Sequence, residues 1–225
     1  ILYVLFVINV LYLLVYSLAS LKRDLPVPPS TTMYKRFAIL IPAYREDAVI
    51  HECVRSCLDQ DYPADCFDVV VISDHMQPET NVSLSALSIR LVEVHFEHRT
   101  KSKALNAAMA AIGDNYDVAL ILDADNVIPY NYLKDVNDLY ACSGVEIVQT
   151  HRVAKNLNSD MALLDAMSEE INNTIFRLGH IKLGLSAALI GSGMAFRYEL
   201  FRDTMANIKA VGGFCLLYTS PSPRD

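Results

Sequence analysis

The sequence VALILDADN, residues 118–126, joins an apolar run to two closely spaced carboxylates. Five consecutive apolar residues favour a strand that is buried on both faces. Asp123 and Asp125 follow directly, and their like charges repel each other unless a cation lies between them. Mg²⁺ and Mn²⁺ prefer such hard oxygen ligands, so the pair predicts a divalent metal site. The alternative is that Asp125 or Asn126 caps the helix that follows.

Similar apolar runs lie on both sides of this junction, and helical segments separate them. The predicted strands cover 36–44, 67–74, 90–96, 117–125 and 145–153, and two of the predicted helices cover 46–60 and 101–113. An alternation of this kind predicts an α/β fold with a mostly parallel sheet. Ligands of such sheets bind beyond the carboxyl ends of the strands. Polar residues follow four of the five runs, so we expect the site along this edge.

Six ordered sequence blocks resemble the inverting glycosyltransferases of family 2, which are membrane-associated enzymes of the GT-A fold. The blocks are FAILIPAYRED, VVVISD, KSKALNAAM, LILDADN, GSGMAFR and VGGF, and together they span residues 36–214. The resemblance implies a Rossmann-like, mostly parallel sheet flanked by helices. It also implies transfer of a sugar, with inversion, from a nucleotide-sugar donor to an acceptor hydroxyl on a lipid or polysaccharide. A UDP-sugar is the expected donor, and Mg²⁺ or Mn²⁺ is the expected cofactor.

The resemblance assigns the recognition of the donor's base to residues after the first two strands. Tyr44 and Glu46 match the pair that contacts the base, with the Tyr44 ring against uracil. Asp74 matches the carboxylate that reads the uracil edge.

The same resemblance assigns the diphosphate and sugar to later blocks. Lys101 matches the lysine that faces the diphosphate, and Asp123 and Asp125 match the Asp-x-Asp metal motif. Gly191, Ser192 and Gly193 match the floor on which the sugars lie. A cation and a lysine suit this reaction because both stabilise the negative charge that grows on the leaving group. Thr100 replaces a glycine that is common in the family, which makes Lys103 a competitor for the role of Lys101.

The catalytic residue is not assigned by the resemblance. Inversion needs a carboxylate that removes the acceptor proton, and the family has it in an acidic pair shortly after the Gly-Gly segment. Here Gly212-Gly213-Phe214 is followed by CLLYTSPSPRD, which has neither that pair nor the Gln-x-x-Arg-Trp motif of processive members. We therefore expect an incomplete GT-A domain over 34–214 and a disordered or foreign tail over 215–225.

The first 20 residues, ILYVLFVINVLYLLVYSLAS, carry no charge and are long enough to cross a bilayer as a helix. We predict a transmembrane helix over 1–21 and a proline-rich linker over 22–33; a signal peptide or a buried core helix is the alternative. The basic cluster of Lys22, Arg23, Lys35 and Arg36 predicts that the following domain is cytoplasmic.

Other features of the chain exclude or leave open further functions. A net charge of −7 gives no basic surface for nucleic acid. The histidines, His75 and His95 among them, lack the sequence spacing of metal ligands and are not predicted to belong to the site. The apolar spacing of residues 158–184 predicts an ordinary amphipathic helix, with a membrane-surface helix as the alternative. Rival functions are a catalytically inactive, membrane-bound module that binds nucleotide sugars, and a nucleotidyltransferase, although PAYREDA lacks that enzyme's glycine-rich loop.

Overall fold

The computed structural model describes residues 1–21, 28–97 and 100–207. These residues divide into two compact units. The sheet unit comprises the described residues of 28–148 and those from 190 onward, and the helical unit comprises those of 1–27 and 149–189.

Eight α-helices lie within the described residues. Their bounds are α1 (Leu2–Ser20), α2 (Ile50–Leu58), α3 (Pro78–Ser85), α4 (Lys101–Ile112), α5 (Tyr132–Ser143), α6 (Asp160–Ile171), α7 (Gly179–Lys182) and α8 (Tyr198–Asn207). A π-helical segment, Asn172–Leu178, joins α6 to α7, and a short 3₁₀ turn, Ala64–Cys66, precedes the second strand.

Six strands form one sheet in the order β3-β2-β1-β4-β6-β5. They are β1 (Phe37–Tyr44), β2 (Phe67–Asp74), β3 (Arg90–Val94), β4 (Val118–Ile121), β5 (Ile147–Gln149) and β6 (Met194–Arg197). β1 pairs in parallel with β2 and β4, β2 pairs in parallel with β3, and β6 runs antiparallel to β4. The predicted α/β fold with a mostly parallel sheet is confirmed.

The core lies where α2 packs on the central strands. All five residues from Phe37 to Ile41 are fully buried, which agrees with a strand covered on both faces. The buried face of α2 consists of Ile50, Cys53, Val54 and Cys57, at the i, i+3, i+4, i+7 spacing of one helix face. This packing fixes β1 and β4, whose carboxyl ends carry the predicted site.

The structure differs from the predicted elements at β4, β5, β6 and the helix predicted over 158–184. β4 ends at Ile121 and β5 at Gln149, so the runs predicted over 117–125 and 145–153 contain strands of only four and three residues. β6 was not predicted as a strand; it lies beside β4, and the N–H of Gly193 donates to the carbonyl of Ile121 at 2.9 Å. The single helix predicted over 158–184 is interrupted by the π-helical segment.

α1 agrees with the predicted apolar helix. Among the described residues it is the one helix long and apolar enough to cross a membrane, by length and composition. Within the helical unit, Tyr16 of α1 stacks on His180 of α7 with ring centroids 4.0 Å apart. The predicted domain boundaries at 21, 33 and 214 remain predictions, and the last of them lies outside the described residues.

Candidate functional site

The carboxyl ends of β1, β2 and β3 bring four aromatic or acidic side chains together. Tyr44 and Asp74 are the last residues of β1 and β2 and are register partners. The ring centroids of Tyr44 and His75 are 5.9 Å apart, and those of His75 and His95 are 5.1 Å apart; both pairs are edge to face. The Asp74 side chain is only 8% exposed and contacts Nδ1 of His75. These groups combine ring faces with a buried carboxylate acceptor, which suits a planar ligand that has an N–H edge.

Two histidines, His75 and His95, lie beside Asp74 at this end of the sheet, although the sequence did not indicate that they would. His75 and His95 were not predicted to belong to the site, yet Asp74, His75 and His95 each place one ligand atom within 4.8 Å of the others. Their proximity follows from strand pairing, since Asp74 is the register partner of Val94 and the two histidines come next. Only the knowledge that β2 and β3 are neighbours could have predicted it.

Left-handed backbone turns hold the edge in this shape. Arg45 and His75, which directly follow β1 and β2, have φ values of 54° and 57°, a conformation that non-glycine residues adopt at a cost. The Asp47 carboxylate accepts the N–H of Gln77 at 2.9 Å and so ties the loop after β1 to the loop after β2. This hydrogen bond lowers the pKa of Asp47. Glu46 is exposed in the same turn, and its carbonyl accepts the N–H of Val49 and Ile50.

A second group lies after β4 and contains the predicted diphosphate and metal residues. Nζ of Lys101 donates to Oδ1 of Asp123 at 2.5 Å and to the carbonyl of Gly191 at 2.5 Å. The N–H of Asp123 donates to Oγ of Ser192 at 2.8 Å, and Ser192 is fully buried. Lys101 and Ser192, which are far apart in the chain, are therefore both bonded to Asp123.

The acidic loop is held by its own polar residues and does not cap a helix. Oδ1 of Asn126 accepts the N–H of Asp123 at 3.0 Å and also accepts the Ser192 hydroxyl. α5 begins only at Tyr132, and its N-cap residue is Asn131. The alternative in which Asp125 or Asn126 caps the following helix is therefore wrong.

The structure also distinguishes the two lysines of α4. The Thr100 side chain caps α4 by accepting the N–H of Lys103 at 3.1 Å. This cap places Lys101 in the first turn, where its ammonium reaches Asp123, whereas the Lys103 side chain is exposed. The contact to Asp123 thus belongs to Lys101, and the threonine that replaces a glycine is compatible with it.

The residues of the acidic loop fit a divalent cation. Asp123 and Asp125 flank Ala124, which is buried, and Asp125 is exposed while the Asp123 side chain is 42% exposed. Both carboxylates can therefore be reached from solvent and offer the hard oxygen atoms that Mg²⁺ and Mn²⁺ prefer. Asp123 uses one oxygen for Lys101, which leaves the other for a metal ion.

Comparison with known proteins decides the family. Residues 35–217 match the model of the glycosyltransferase like family 2. The chain belongs to this family. The chain is similar to the beta-monoglucosyldiacylglycerol synthase of Synechocystis, 26% identical over 133 residues, and to the probable glycosyltransferase YdaM of Bacillus subtilis, 28% identical over 134 residues. These matches cover 56% and 54% of this chain but only 27% and 31% of the relatives, so the chain spans about a third of their length.

Solved structures support the GT-A fold of this family 2 chain. The mannosyltransferase PcManGT of Pyrobaculum calidifontis, solved with GDP-Man and Mn²⁺, has a TM-score of 0.66 at 24% identity and covers 92% of this chain and 55% of that one. S. aureus TarS 1–349 with UDP-GlcNAc has a TM-score of 0.51 at 20% identity and covers 75% of this chain and 47% of that one. The predicted family and GT-A fold are confirmed, and membership of family 2 removes the nucleotidyltransferase alternative.

Proposed function

We propose that this chain is the donor-binding part of a metal-dependent, inverting glycosyltransferase that uses a UDP-sugar. The observation that carries the proposal is the arrangement around Asp123: Lys101 and Ser192 are bonded to its loop, which has a second carboxylate, Asp125. The Gly191 carbonyl is held beside them by accepting from Nζ of Lys101. A positive charge, two carboxylates and a backbone floor are what a nucleoside diphosphate with an attached sugar requires.

Asp123 and Asp125 would hold Mg²⁺ or Mn²⁺, which supplies Lewis-acid stabilisation of the departing diphosphate. The Lys101 ammonium would bind the diphosphate directly and so share its negative charge. Gly191, Ser192 and Gly193 would support the sugar. Support for a metal comes from PcManGT, whose structure was solved with Mn²⁺.

The base would lie at the edge formed by Tyr44, Glu46 and Asp74. A buried carboxylate can accept the imide N–H of uracil, and an aromatic ring can pack against the base. The same carboxylate could also accept the N–H groups of guanine. TarS with UDP-GlcNAc and PcManGT with GDP-Man are the two precedents, so a binding test has to include both nucleotides.

The proton acceptor for transfer is not assigned to a described residue. The resemblance places it after Phe214, and that segment lies outside the described residues. The rival function, a module that binds nucleotide sugars without transferring them, shares the donor site and differs only in turnover.

The proposed enzyme is anchored by α1 and acts on a lipid or polysaccharide acceptor from the cytoplasmic side. Support comes from the apolar length of α1, from the basic cluster after it, and from the name of the Synechocystis relative, a synthase of a glycosylated diacylglycerol.

The test combines metal-dependent binding with turnover. In calorimetric titrations of the full chain in detergent, UDP should bind more tightly with Mn²⁺ than without it. Asp125→Asn should remove at least about tenfold of that affinity, or about 1.4 kcal/mol. Asp65→Asn is the matched control, because Asp65 is also exposed but precedes β2 at the opposite edge of the sheet.

Equal UDP affinity for Asp125→Asn and the unmodified chain would contradict the metal role of Asp125. Transfer of labelled sugar to membrane lipids or polysaccharide then separates the enzyme from the binding module. Binding without any transfer, in a protein that melts cooperatively, would favour the module.

A further inference from the structure

The helical unit has the opposite polarity to a water-soluble domain. Among its described residues, the buried ones are Ser20, Asn173 and Gly179, and none is a large apolar residue. Nine large apolar side chains between 161 and 185 are instead exposed by 37–74%: Met161, Leu163, Leu164, Met167, Ile171, Phe176, Ile181, Leu183 and Leu185. Exposed apolar side chains in such number on a short segment indicate contact with an apolar medium or partner.

Polar groups of the same segment are bonded to each other on the inside. Arg177, whose side chain is 13% exposed, donates to Glu169 at 3.3 Å and also to Asn173. Asn173 in turn donates to the carbonyl of Arg152 at 2.7 Å. Nε of Arg177 and Nδ1 of His180 are buried without a hydrogen-bond partner among the residues that the structure describes, but the charge of Arg177 is neutralised within the segment by Glu169, which lowers the cost of covering it with lipid.

The segment is packed against α1. If α1 spans a membrane, this contact sets how deeply the segment lies in the bilayer. The hydroxyl of Tyr12 lies 2.9 Å from Nε2 of His180, and Tyr16 stacks on the same ring. A side chain at Gly179 would come within 2.6 Å of the Tyr16 carbonyl, so the two backbones touch there. At 1.5 Å per residue, Tyr16 and Tyr12 lie about 6 Å and about 12 Å from the Ser20 end of α1. Helices that lie in a membrane interface enter to a similar depth, about 5–10 Å.

The charges of α6 leave an apolar face for lipid. Leu164, Met167 and Ile171 share one face at i, i+3, i+7 spacing, whereas Asp165 and Glu169 lie on the opposite face. Glu169 is paired with Arg177. Asp160 continues this face at the N-terminal end of α6. A bilayer could therefore cover the apolar face from Leu164 onward, with Asp160 at the level of the headgroups.

We propose that residues 160–185 insert beside α1 into the bilayer leaflet at its Ser20 end, with their exposed apolar side chains against lipid chains. The proposal rests on the proposed anchoring of the chain by α1. It favours the membrane-surface alternative for this segment over an ordinary amphipathic helix. The occupant is lipid because the apolar surface continues directly from a helix of membrane-spanning length.

Tryptophan scanning tests this directly, because the chain has no tryptophan of its own. The full chain is reconstituted in phosphatidylcholine vesicles with brominated acyl chains, which quench tryptophan in contact with them. Leu164→Trp and Leu183→Trp should be quenched as strongly as Leu11→Trp in α1. Asp165→Trp, on the other face of α6, and Val82→Trp, which replaces a side chain 73% exposed in α3, should instead be quenched by acrylamide in the water.

Three other quenching results would each overturn the proposal for a different reason. Quenching of Leu164→Trp and Leu183→Trp by acrylamide, as for Val82→Trp, would mean that the segment faces water. Protection from both quenchers would mean that protein, for example a second copy of the chain, covers it. Absence of bromolipid quenching at Leu11→Trp would refute the anchoring itself. Two independent positions and a cooperative melt of each variant guard against a local folding defect.

Discussion

Replacing Lys101 by methionine removes one charge at the centre of the proposed donor site and retains most of the side-chain length. In the structure the Lys101 ammonium is 2.5 Å from both Oδ1 of Asp123 and the Gly191 carbonyl. In the donor complex we expect it to bind the diphosphate. The variant tests whether this lysine neutralises the leaving group or only holds the loop together.

The expected loss of UDP affinity follows from the kind of bond that is removed. A hydrogen bond to a charged group contributes about 1.5–3 kcal/mol, which corresponds to about 10-fold to 150-fold in affinity. Because the side chains of Lys101 and Asp123 are 27% and 42% exposed, solvent screens the charges and the lower limit applies. We expect a roughly tenfold weaker affinity for UDP at saturating Mn²⁺.

Lys101→Met should affect the affinity for Mn²⁺ and the stability of the fold differently from the affinity for UDP. Without Lys101, Asp123 has both oxygens available and no competing cation, so Mn²⁺ alone should bind at least as tightly as before. The lost ion pair is partly exposed and contributes at most about 1 kcal/mol to the free energy of unfolding. That corresponds to a fall of about 2–4 °C in Tm for a chain of this size.

The assay is calorimetric titration of UDP at saturating Mn²⁺, and of Mn²⁺ alone, with a thermal melt of each protein. Lys134→Met is the matched control, since Lys134 forms an exposed ion pair with Asp61 at 3.4 Å away from the proposed site. An unchanged UDP affinity in Lys101→Met would refute the diphosphate role. A comparable loss in Lys134→Met would show that net charge, and not the site, controls binding.

Three further predictions concern the base, the loop and the membrane. Tyr44→Ala and Asp74→Asn should each reduce the preference for UDP over ADP in competition binding; equal affinity of the unmodified chain for both nucleotides would contradict the base assignment. Because its hydrogen bond to Gln77 lowers the pKa of Asp47, the ionised carboxylate stabilises the fold above its ordinary pKa of about 3.9, and this contribution is lost as pH falls through the lower folded value. Asp47→Ala should therefore lower Tm at pH 7, and its difference from the unmodified chain should shrink when melts are recorded at progressively more acidic pH. Protease added to sealed inside-out vesicles should digest the sheet unit, whereas full protection would reverse the orientation predicted from the basic cluster.

Local sequence pattern predicted the elements with strong apolar runs well. β1 and β2 occur where FAILIPAY and FDVVVISD indicate them, because residues buried on both faces leave continuous apolar stretches. The sequence pattern was less accurate at β4, where the apolar run continues past Ile121, the last residue of the strand. Burial does not require strand pairing, so hydrophobicity alone overextends an element.

The same limit applies to the site. The spacing of Asp123 and Asp125 after an apolar run is local, so the sequence indicated their position and chemistry. The contribution of His75 and His95 is not local, since it needs the pairing of β2 with β3. The choice between Lys101 and Lys103 likewise needed the three-dimensional path of α4, which begins at the Thr100 cap.

The sequence by itself determined the α/β class, the order of the motifs, the acidic loop after β4 and the apolar character of α1, because each depends on residues that are near one another in the chain. Tertiary structure alone decided that β6 runs antiparallel beside β4 and brings Gly191 to Lys101 and Ser192 to Asp123. It also decided that residues 160–185 present their apolar side chains outward. Both results depend on which distant elements pack together, and the free energy of such contacts is set by burial and pairing that hydrophobic periodicity does not record.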